Sequence, residues 1–478
     1  MNKHTSKRLS RRRNKRRTKK NKKIVLRKKG GDIMYARLPE AKDIGTAKNF
    51  ICSDDNVCLA FGESSEQIKA LFDGFVRFNF ATRVLKRIGE PSVNGFVFEI
   101  KNETRGYTAY SVLKSAQDYT SDNLMYEYVV GQYVNKLNKL YPCFLETYGL
   151  FKYKNENQWE IFKNTEKIIN LHALQEGLTQ QPINYAKGCR KSKYLAILIQ
   201  HLLNPITLDD LSTDQTFIKD ELLWALFQLY IPLAKLMNNF THYDLHLGNI
   251  LMYEPVKGKY IEYHYHLPPV VGEFPEVSRK TRTSQTAYAA SMKPDIVSFK
   301  SSYMLKIIDY GRSYFNDEES HLNSKQVYDE ICKVNKCNTR NDKCGTSFGF
   351  GWLEDDSDDP AANFYISAQH KNISHDLLPL ERIYQNNTEE NPNNLPPDLF
   401  DLIKKVIYND YFGTPEDLTA GYPANINNVQ DAADLIAEWV KKPEYQARNN
   451  AANRTKGKLG DLHIFMDGIT PMEFVPTP

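Results

Sequence analysis

The pattern of hydrophobic and polar positions predicts strands and then a helix in the first third of the chain. Three apolar segments, separated by turns rich in Gly and Asn, are predicted as strands: VLKRIG (84–89), FVFEI (96–100) and YTAYSVLK (107–114). Residues 121–140 then place apolar side chains at helical spacing, with Ser121 or Asp122 as the start signal. A shorter helix is predicted upstream, near 64–73. This order predicts a small antiparallel sheet packed against one helix.

The strongest apolar segments lie in the middle of the chain. KYLAILIQHL (193–202) predicts a buried strand, and residues 218–238 predict a helix that is apolar on most faces. The helix contains Glu221, Gln228 and Lys235, which favours a protein core over a membrane span. Further elements are predicted as strands at 250–254 and 303–311 and as helices near 398–409 and 429–441.

About 45 residues separate the last two predicted strands. They include KTRTSQTAYAASMK (280–293), which is polar and rich in hydroxyl groups. Such a composition between two strands predicts an insertion at about 255–302 with a disordered tip.

Charge divides the chain into two unequal parts. Residues 1–29 contain 16 Lys or Arg and no acidic residue, whereas the remainder has 47 basic and 58 acidic residues. The basic segment has almost nothing to bury, which predicts a disordered tail over 1–32. Three interpretations of the tail stay open: a solubilising arm, a nuclear targeting signal, or contacts from residues 1–30 to the phosphates of a nucleic acid or other polyanion.

Length and composition narrow the class of protein. A chain of 478 residues is long enough for about two to four compact units. No run of eighteen uncharged apolar residues is present, and no apolar core follows the basic N-terminus. We therefore expect neither a membrane span nor a secretory signal. Seven cysteines are few and odd in number, which fits a reducing compartment.

Two groups of metal-binding residue types invite alternative interpretations. Three cysteines lie close together: Cys332, Cys337 and Cys344. With His321 they bind zinc, or they are plain thiols or form a disulfide, since their spacing matches no strong zinc signature. His264 and His266 alternate on a predicted strand and so face one side. Either they form a metal site or they are part of a polar strand face.

THYDLHLGNILMYE (241–254) places Asp244 and Asn249 five positions apart between apolar residues. Phosphoryl transfer needs a carboxylate near the attacking hydroxyl and an oxygen ligand for Mg²⁺, both held rigidly near one phosphate. An anchored turn with this spacing supplies both groups. Asp244 is therefore predicted to accept or orient the substrate hydroxyl, and Asn249 to bind Mg²⁺.

Three companion residues stand in the order found in protein kinases. YSVLK ends a predicted strand with Lys114, Glu127 follows 13 residues later, and Asp309 begins an Asp-Tyr-Gly motif. Together with the Asp-x-x-x-x-Asn spacing, they resemble the kinase Val-Ala-Ile-Lys lysine, its helix glutamate, the Asp-Phe-Gly motif and the catalytic loop. The resemblance implies that Lys114 holds ATP phosphates, that Glu127 orients Lys114, and that Asp309 binds Mg²⁺.

The resemblance also implies a phosphate-covering loop and an adenine-binding linker. GEPSVNGFVFE (89–99) has Pro91 where kinases have their middle glycine, unless the loop is offset. Its glycines permit a tight turn, and Ser92 can donate a hydrogen bond to phosphate. The linker is QHLLN (200–204). The nucleotide contacts expected from the loop and linker are Gly89, Ser92, Gly95, Val97, Gln200 and Leu202. Lys114, Glu127 and His246 complete the expected nucleotide-binding residues.

The motifs resemble a protein-kinase-like family over about residues 80–445. More narrowly, they are similar to the divergent serine/threonine-kinase-like proteins of large DNA viruses. Three segments carry this resemblance: YEYVVGQYVNKLNKLYPCFLETYG (126–149), HYDLHLGNI (242–250) and CNTRNDKCGTSFGFGWL (337–353).

This resemblance implies an α+β, bilobal fold that uses ATP and Mg²⁺ to phosphorylate Ser or Thr hydroxyls of a protein substrate. The small lobe would span 80–204 and the large lobe 205–445, with extensions at 33–79 and 446–478. It also implies a setting in the host cytoplasm or the virion, and the basic tail leaves the nucleus open.

Departures from the kinase pattern keep two alternatives open. His246 stands where serine/threonine kinases have a lysine that helps to hold the γ-phosphate, and a neutral histidine brings no fixed charge near pH 7. The pattern Asp-x-His-x-Gly-Asn also resembles aminoglycoside and choline kinases. No Ala-Pro-Glu motif is found, and Asp376 either supports the catalytic loop or is a helix N-terminal charge. The alternatives are a pseudokinase acting as a binding or structural virion protein, and a small-molecule kinase.

Overall fold

The computed structural model describes residues 33–37, 50–52, 57–88, 95–118, 121, 123–165, 169–180, 192–268, 295–327, 371–373, 375–388, 395–403, 426 and 428–477. They form a mixed α+β structure with a curled antiparallel sheet, smaller sheets and several helices, which confirms the predicted α+β class. The basic tail, the hydroxyl-rich segment 280–293 and the three neighbouring cysteines lie outside the described residues.

The strands are β1 (Ile33–Arg37), β2 (Phe50–Cys52), β3 (Val57–Phe61), β4 (Ala81–Arg87), β5 (Gly95–Thr104), β6 (Tyr107–Ala116), β7 (Thr147–Tyr153), β8 (Leu178–Gln180), β9 (Leu195–Gln200), β10 (Ile206–Thr207), β11 (Phe240–Thr241), β12 (Ile250–Tyr253), β13 (Lys259–Leu267), β14 (Asp295–Ser301), β15 (Met304–Ile307), β16 (Tyr314–Asp317), β17 (Leu322–Asn323), β18 (Gly457–Phe465) and β19 (Glu473–Pro476). The helices are α1 (Glu63–Leu71), α2 (Leu124–Leu137), α3 (Glu156–Asn164), α4 (Leu171–Gly177), α5 (Leu208–Leu211), α6 (Gln215–Asp220), α7 (Leu222–Leu236), α8 (Ser324–Gln326), α9 (Leu378–Thr388), α10 (Pro397–Ile403), α11 (Val429–Val440) and α12 (Pro443–Ala452).

The largest sheet contains the strands that the sequence predicted. Its order is β2-β3-β1-β6-β9-β7-β8, and β5 pairs with both β4 and β6. The predicted strands correspond to β4, β5, β6 and β9, and β5 pairs with β6 along ten residues. The sequence located these strands by their apolar segments, and in β5 buried and partly exposed residues alternate along most of the strand.

Helix α2 begins later than predicted. The residue that caps it is Asn123, not Ser121 or Asp122: the Asn123 side chain accepts hydrogen bonds from the backbone N–H groups of Met125 and Tyr126. The helix lies close to β7, since a Cβ on Gly131 would come 2.2 Å from the Thr147 hydroxyl. Glycine at this position therefore permits the close approach of helix and sheet.

The long apolar helix predicted over 218–238 is two helices, α6 and α7. The break falls at Glu221, whose buried carboxylate accepts a hydrogen bond from the Ser301 hydroxyl. Within α7, the Gln228 amide donates to the Tyr303 carbonyl and accepts from the Leu305 N–H. The polar residues of this apolar segment thus fix α7 against the strands that lead to Asp309.

The described parts of the predicted insertion and of the C-terminal extension share one sheet. Its order is β14-β13-β18-β19, in which β13 pairs antiparallel with β14 and parallel with β18. The sequence did not predict β18 or β19. Parallel pairing across such a separation leaves no local turn signal.

Candidate active site

Lys114 joins two carboxylates that come from distant parts of the chain. Its Nζ on β6 lies 2.8 Å from Glu127 Oε1 on α2 and 2.7 Å from Asp309 Oδ1. Lys114 and Glu127 are largely buried, so salt screens their ion pair only weakly. The ion pair that the sequence predicted between these two residues is present.

Burial and ion pairing oppose each other at this site. Burial alone would lower the pKa of the Lys114 ammonium, but the Asp309 and Glu127 carboxylates outweigh it and raise that pKa above its usual value. Burial would raise the pKa of Asp309, yet Lys114 lowers it to about 2. Lys114 and Asp309 are therefore both charged near neutral pH, as phosphate and metal binding require.

The loop 242–249 is bonded directly to the segment that carries Asp309. The Asn249 Nδ2 group donates to the Asp244 carbonyl at 2.8 Å, and the Ile308 N–H donates to the Asn249 carbonyl at 3.0 Å. Tyr243 and Asp309 have φ values of 64° and 67°, which non-glycine residues rarely adopt. These bonds bring together a cleft cluster, defined as Lys114, Glu127, Asp244, Asn249 and Asp309.

His242 fixes the same two segments through its ring. Its Nε2–H donates to the Ile308 carbonyl at 2.9 Å, and its Nδ1 accepts from the Asp244 N–H at 3.3 Å. Complete burial lowers the pKa of His242 to about 4, so the ring is neutral with the proton on Nε2. The Tyr310 ring stands edge-on to it, and the Tyr310 hydroxyl donates to the Ile307 carbonyl.

Asp376 holds the backbone at the start of the loop 242–249. Its carboxylate accepts the His242 N–H at 2.7 Å and the Tyr243 N–H at 3.1 Å. Burial raises the pKa of Asp376 to about 7, although both backbone donors act to lower it. The structure contains the contacts expected for support of the loop backbone, and Asp376 also lies in the first turn of the short 3₁₀ helix His375–Leu377.

Asp244 is held differently from the other cleft carboxylates. Burial raises the pKa of Asp244 above its usual value, and the Arg312 guanidinium lowers it. Arg312 Nη1 lies 3.5 Å from Asp244 Oδ1. Sequence analysis missed Arg312, although a cation directly after the Asp309-Tyr310-Gly311 motif was a visible signal.

A cavity of about 340 Å³ opens beside the cleft cluster. Lys114, Glu127 and Asp309 lie in its wall, and the apolar part is formed by Ile88, Val97, Val112, Leu145, Ile199, Leu202, Leu251 and Ile308. Val97 and Leu202 were predicted as nucleotide contacts. An apolar chamber with charged groups on its wall has the form of a small-molecule site. A larger groove of about 520 Å³ between α7 and α11 contains none of the cleft-cluster residues.

The other predicted nucleotide contacts have structural partners or lie outside the described residues. The Gln200 side chain lines the cavity, and its Oε1 accepts from the Glu146 N–H. Gly95 begins β5, where a Cβ would come 2.6 Å from the Ser115 carbonyl, so this glycine serves strand pairing. His246 Nδ1 accepts from the Gly248 N–H at 3.1 Å. Gly89 and Ser92 are not among the described residues.

A second polar group, the sheet-face cluster, lies on the exposed side of β13 and β18. It consists of Glu262, His264, His266, Lys458, Asp461 and His463. His264 binds the Asp461 carboxylate at 2.7 Å and the Ser298 hydroxyl at 2.8 Å. Glu262, His264 and Asp461 come close enough for a shared cation, but the Lys458 ammonium already lies 2.6 Å from Glu262 and 2.7 Å from Asp461. The cluster is therefore an ionic network on a strand face.

A scan against protein-family models and a search of curated proteins found no match to this chain. Among the described residues, no helix combines the length and the hydrophobicity needed to cross a membrane.

Proposed function

We propose that this chain is an ATP- and Mg²⁺-dependent phosphotransferase with a bilobal protein-kinase-like fold, most similar to a viral serine/threonine protein kinase. The main support is that Lys114 bridges Glu127 and Asp309 while backbone bonds join Asp309 to the loop of Asp244 and Asn249. In this proposal, the large sheet with α2 is the small lobe, the region around α7 is the large lobe, and the 340 Å³ cavity receives the adenine.

The donor groups suit a magnesium ion. Because the Asp244 carbonyl can only accept, Asn249 must direct Nδ2 toward it, which leaves Oδ1 as the amide atom for a cation. Asp309 is ionised and offers carboxylate oxygen, the other ligand type that Mg²⁺ prefers. When bound, the ion would neutralise charge on the phosphates of ATP.

Three further side chains would bind phosphate, position the phosphate ligand and orient the acceptor. Lys114 would hold phosphate oxygens, and Glu127 keeps Lys114 in position. Asp244 would orient the acceptor hydroxyl and take its proton, and its partly exposed side chain is open to an acceptor.

The direct test replaces Asp244 by Asn, which removes the carboxylate and keeps its size. We expect phosphotransfer to fall by about 10³-fold, because general base catalysis and hydroxyl orientation are lost. Calorimetry with Mg²⁺ and ATP should show nearly unchanged nucleotide affinity. Asp461→Asn, in the sheet-face cluster, is the matched control and should keep full turnover.

The same experiment separates the alternatives. Wild-type turnover in Asp244→Asn would rule out the assignment of this residue. Nucleotide binding by the wild-type chain without transfer to any acceptor would identify a pseudokinase. A panel of proteins, aminoglycosides and amino alcohols as acceptors would separate a protein kinase from a small-molecule kinase.

A further inference from the structure

The cleft contains a second cation next to the reacting groups. Arg312 and Asp244 face each other with Nη1 and Oδ1 3.5 Å apart, and each side chain is about one-fifth exposed. Arg312 also follows Asp309 by only three residues along the chain. Arg312 therefore faces the acceptor-side carboxylate and belongs to the same short segment as the proposed metal-side carboxylate.

The ring of His246 is held within its own loop. Its Nδ1 accepts the Gly248 N–H and caps the short 3₁₀ turn Leu247–Asn249, so this nitrogen is committed to the loop. The ring lies so close that a Cβ on Gly248 would come 3.0 Å from it. Lys114, already assigned to phosphate oxygens, also pairs with Glu127 and Asp309.

We propose that Arg312 supplies the positive charge beside the transferring phosphoryl group, in place of a lysine at position 246. This inference rests on the proposed function. If Asp244 orients the acceptor and Asp309 binds the metal, the transferring group passes between them, within reach of the Arg312 side chain. A planar guanidinium suits this place because it binds two phosphate oxygens at once.

The bonds that form and break during phosphoryl transfer show where this positive charge acts. The acceptor oxygen forms a bond to the γ-phosphorus, and the bond from that phosphorus to the bridging oxygen breaks. Its electron pair remains on ADP, and the hydroxyl proton passes to Asp244. Negative charge spreads over the three non-bridging oxygens during transfer, and a fixed cation there stabilises the transition state.

The test compares Arg312→Gln and Arg312→Lys with Arg448→Gln, which removes an arginine on α12 that packs on Tyr445. Calorimetry with Mg²⁺ measures the affinities for ATP and ADP, and a transfer assay measures kcat. Arg312→Gln should weaken ATP about tenfold relative to ADP, a loss of one charged phosphate contact. It should lower kcat by about 10²–10³-fold.

Rescue separates a chemical role from a structural one. Arg312→Lys, or guanidinium ion added to Arg312→Gln, should restore part of kcat, and Arg448→Gln should behave as wild type. Wild-type kcat and an unchanged ATP/ADP ratio in Arg312→Gln would overturn the inference, as would equal losses for both nucleotides with no rescue. If Arg312→Gln does not fold, reduced kcat with unchanged ADP affinity in Arg312→Lys supports the inference and wild-type kcat overturns it.

The experiments distinguish a failure of the role proposed for Arg312 from a failure of the proposed phosphotransferase function. A wild-type chain that binds neither nucleotide refutes both proposals. A wild-type chain that transfers phosphate, with an Arg312→Gln variant equally active, refutes only the role of Arg312.

Discussion

The cleft cluster and the sheet-face cluster both join side chains almost two hundred positions apart, but they hold them differently. Lys114 meets Asp309 across 195 positions, and His264 meets Asp461 across 197. In the cleft, Lys114 and Glu127 are nearly inaccessible and two non-glycine residues have positive φ. On the sheet face, the charged groups stand on paired strands, and about a quarter to a third of the surface of Glu262, Lys458 and Asp461 is exposed.

Residue types alone therefore do not distinguish a buried, constrained cluster from a solvated ionic network. Both clusters contain carboxylates, a lysine and histidine or amide groups. Burial strengthens electrostatic interactions in the cleft, and backbone strain there is maintained by bonds such as those to Asp376. On the sheet face, solvent competes for every charge.

Replacing Lys114 by Met should have the largest effect on stability and on phosphotransfer together. The variant leaves Glu127 and Asp309 without their ammonium, and removing one partner of a buried ion pair costs about 3 kcal/mol. Phosphotransfer should fall by at least about 10²-fold because the phosphate ligand is lost. Urea unfolding and a transfer assay measure the two effects. Retained transfer would show that Lys114 has no part in the chemistry.

Replacing Asp376 by Ala should have the next largest effect on stability. Two buried backbone N–H groups lose a carboxylate acceptor, which we expect to lower the free energy of unfolding by about 3 kcal/mol. Asp467 is a matched control because it also accepts two backbone N–H groups, at Ile469 and Thr470, but is exposed. Asp467→Ala should cost about 1 kcal/mol. Equal losses in the two variants would contradict the role of burial.

Acid should reduce the stability contributed by buried His375 more than that contributed by His463 on the sheet face. Burial lowers the pKa of His375 to about 3, whereas an unfolded histidine titrates near 6.5. As pH falls, the unfolded chain therefore binds a proton at His375 before the folded chain does. The contribution of neutral His375 to the free energy of unfolding is complete above about pH 6.5 and is reduced by about 2 kcal/mol at pH 5.

His375→Phe should remove that part of the pH dependence, measured by urea unfolding at pH 7.5 and 5. His463 also has a lowered pKa, through burial and then His264, but it is more exposed. His463→Phe should therefore change the pH dependence less. An unchanged slope in His375→Phe would exclude His375 as its source.

Replacing Lys458 by Met should have the smallest effect. Its pairs with Glu262 and Asp461 are partly exposed, so we expect a loss of at most about 1 kcal/mol in the free energy of unfolding. Raising the salt concentration should shrink the difference from wild type further. A loss as large as that of Lys114→Met would show that the sheet face is as tightly coupled as the cleft.

Sequence reasoning succeeded where the signal is local. Apolar segments between turns located β4, β5 and β6, a continuous apolar segment located β9, and helical spacing of apolar residues located α2. The helix predicted near 429–441 is α11. The pairing of Lys114 with Glu127 followed from kinase-like spacing. Sequence reasoning was wrong where one side chain decides a boundary, as Asn123 does at the start of α2 and Glu221 does between α6 and α7.

The amino-acid sequence alone identifies which chemical groups this protein offers, because the Asp-x-x-x-x-Asn spacing, the Asp-Tyr-Gly motif and the apolar strand segments each lie in consecutive residues. Only the tertiary structure decided which of those groups meet. It set Arg312 beside Asp244 and Asp376 beneath the loop, and it joined β18 to β13. The reason is physical: periodicity reports the burial of a residue relative to its neighbours, whereas contacts between distant residues depend on how whole elements pack.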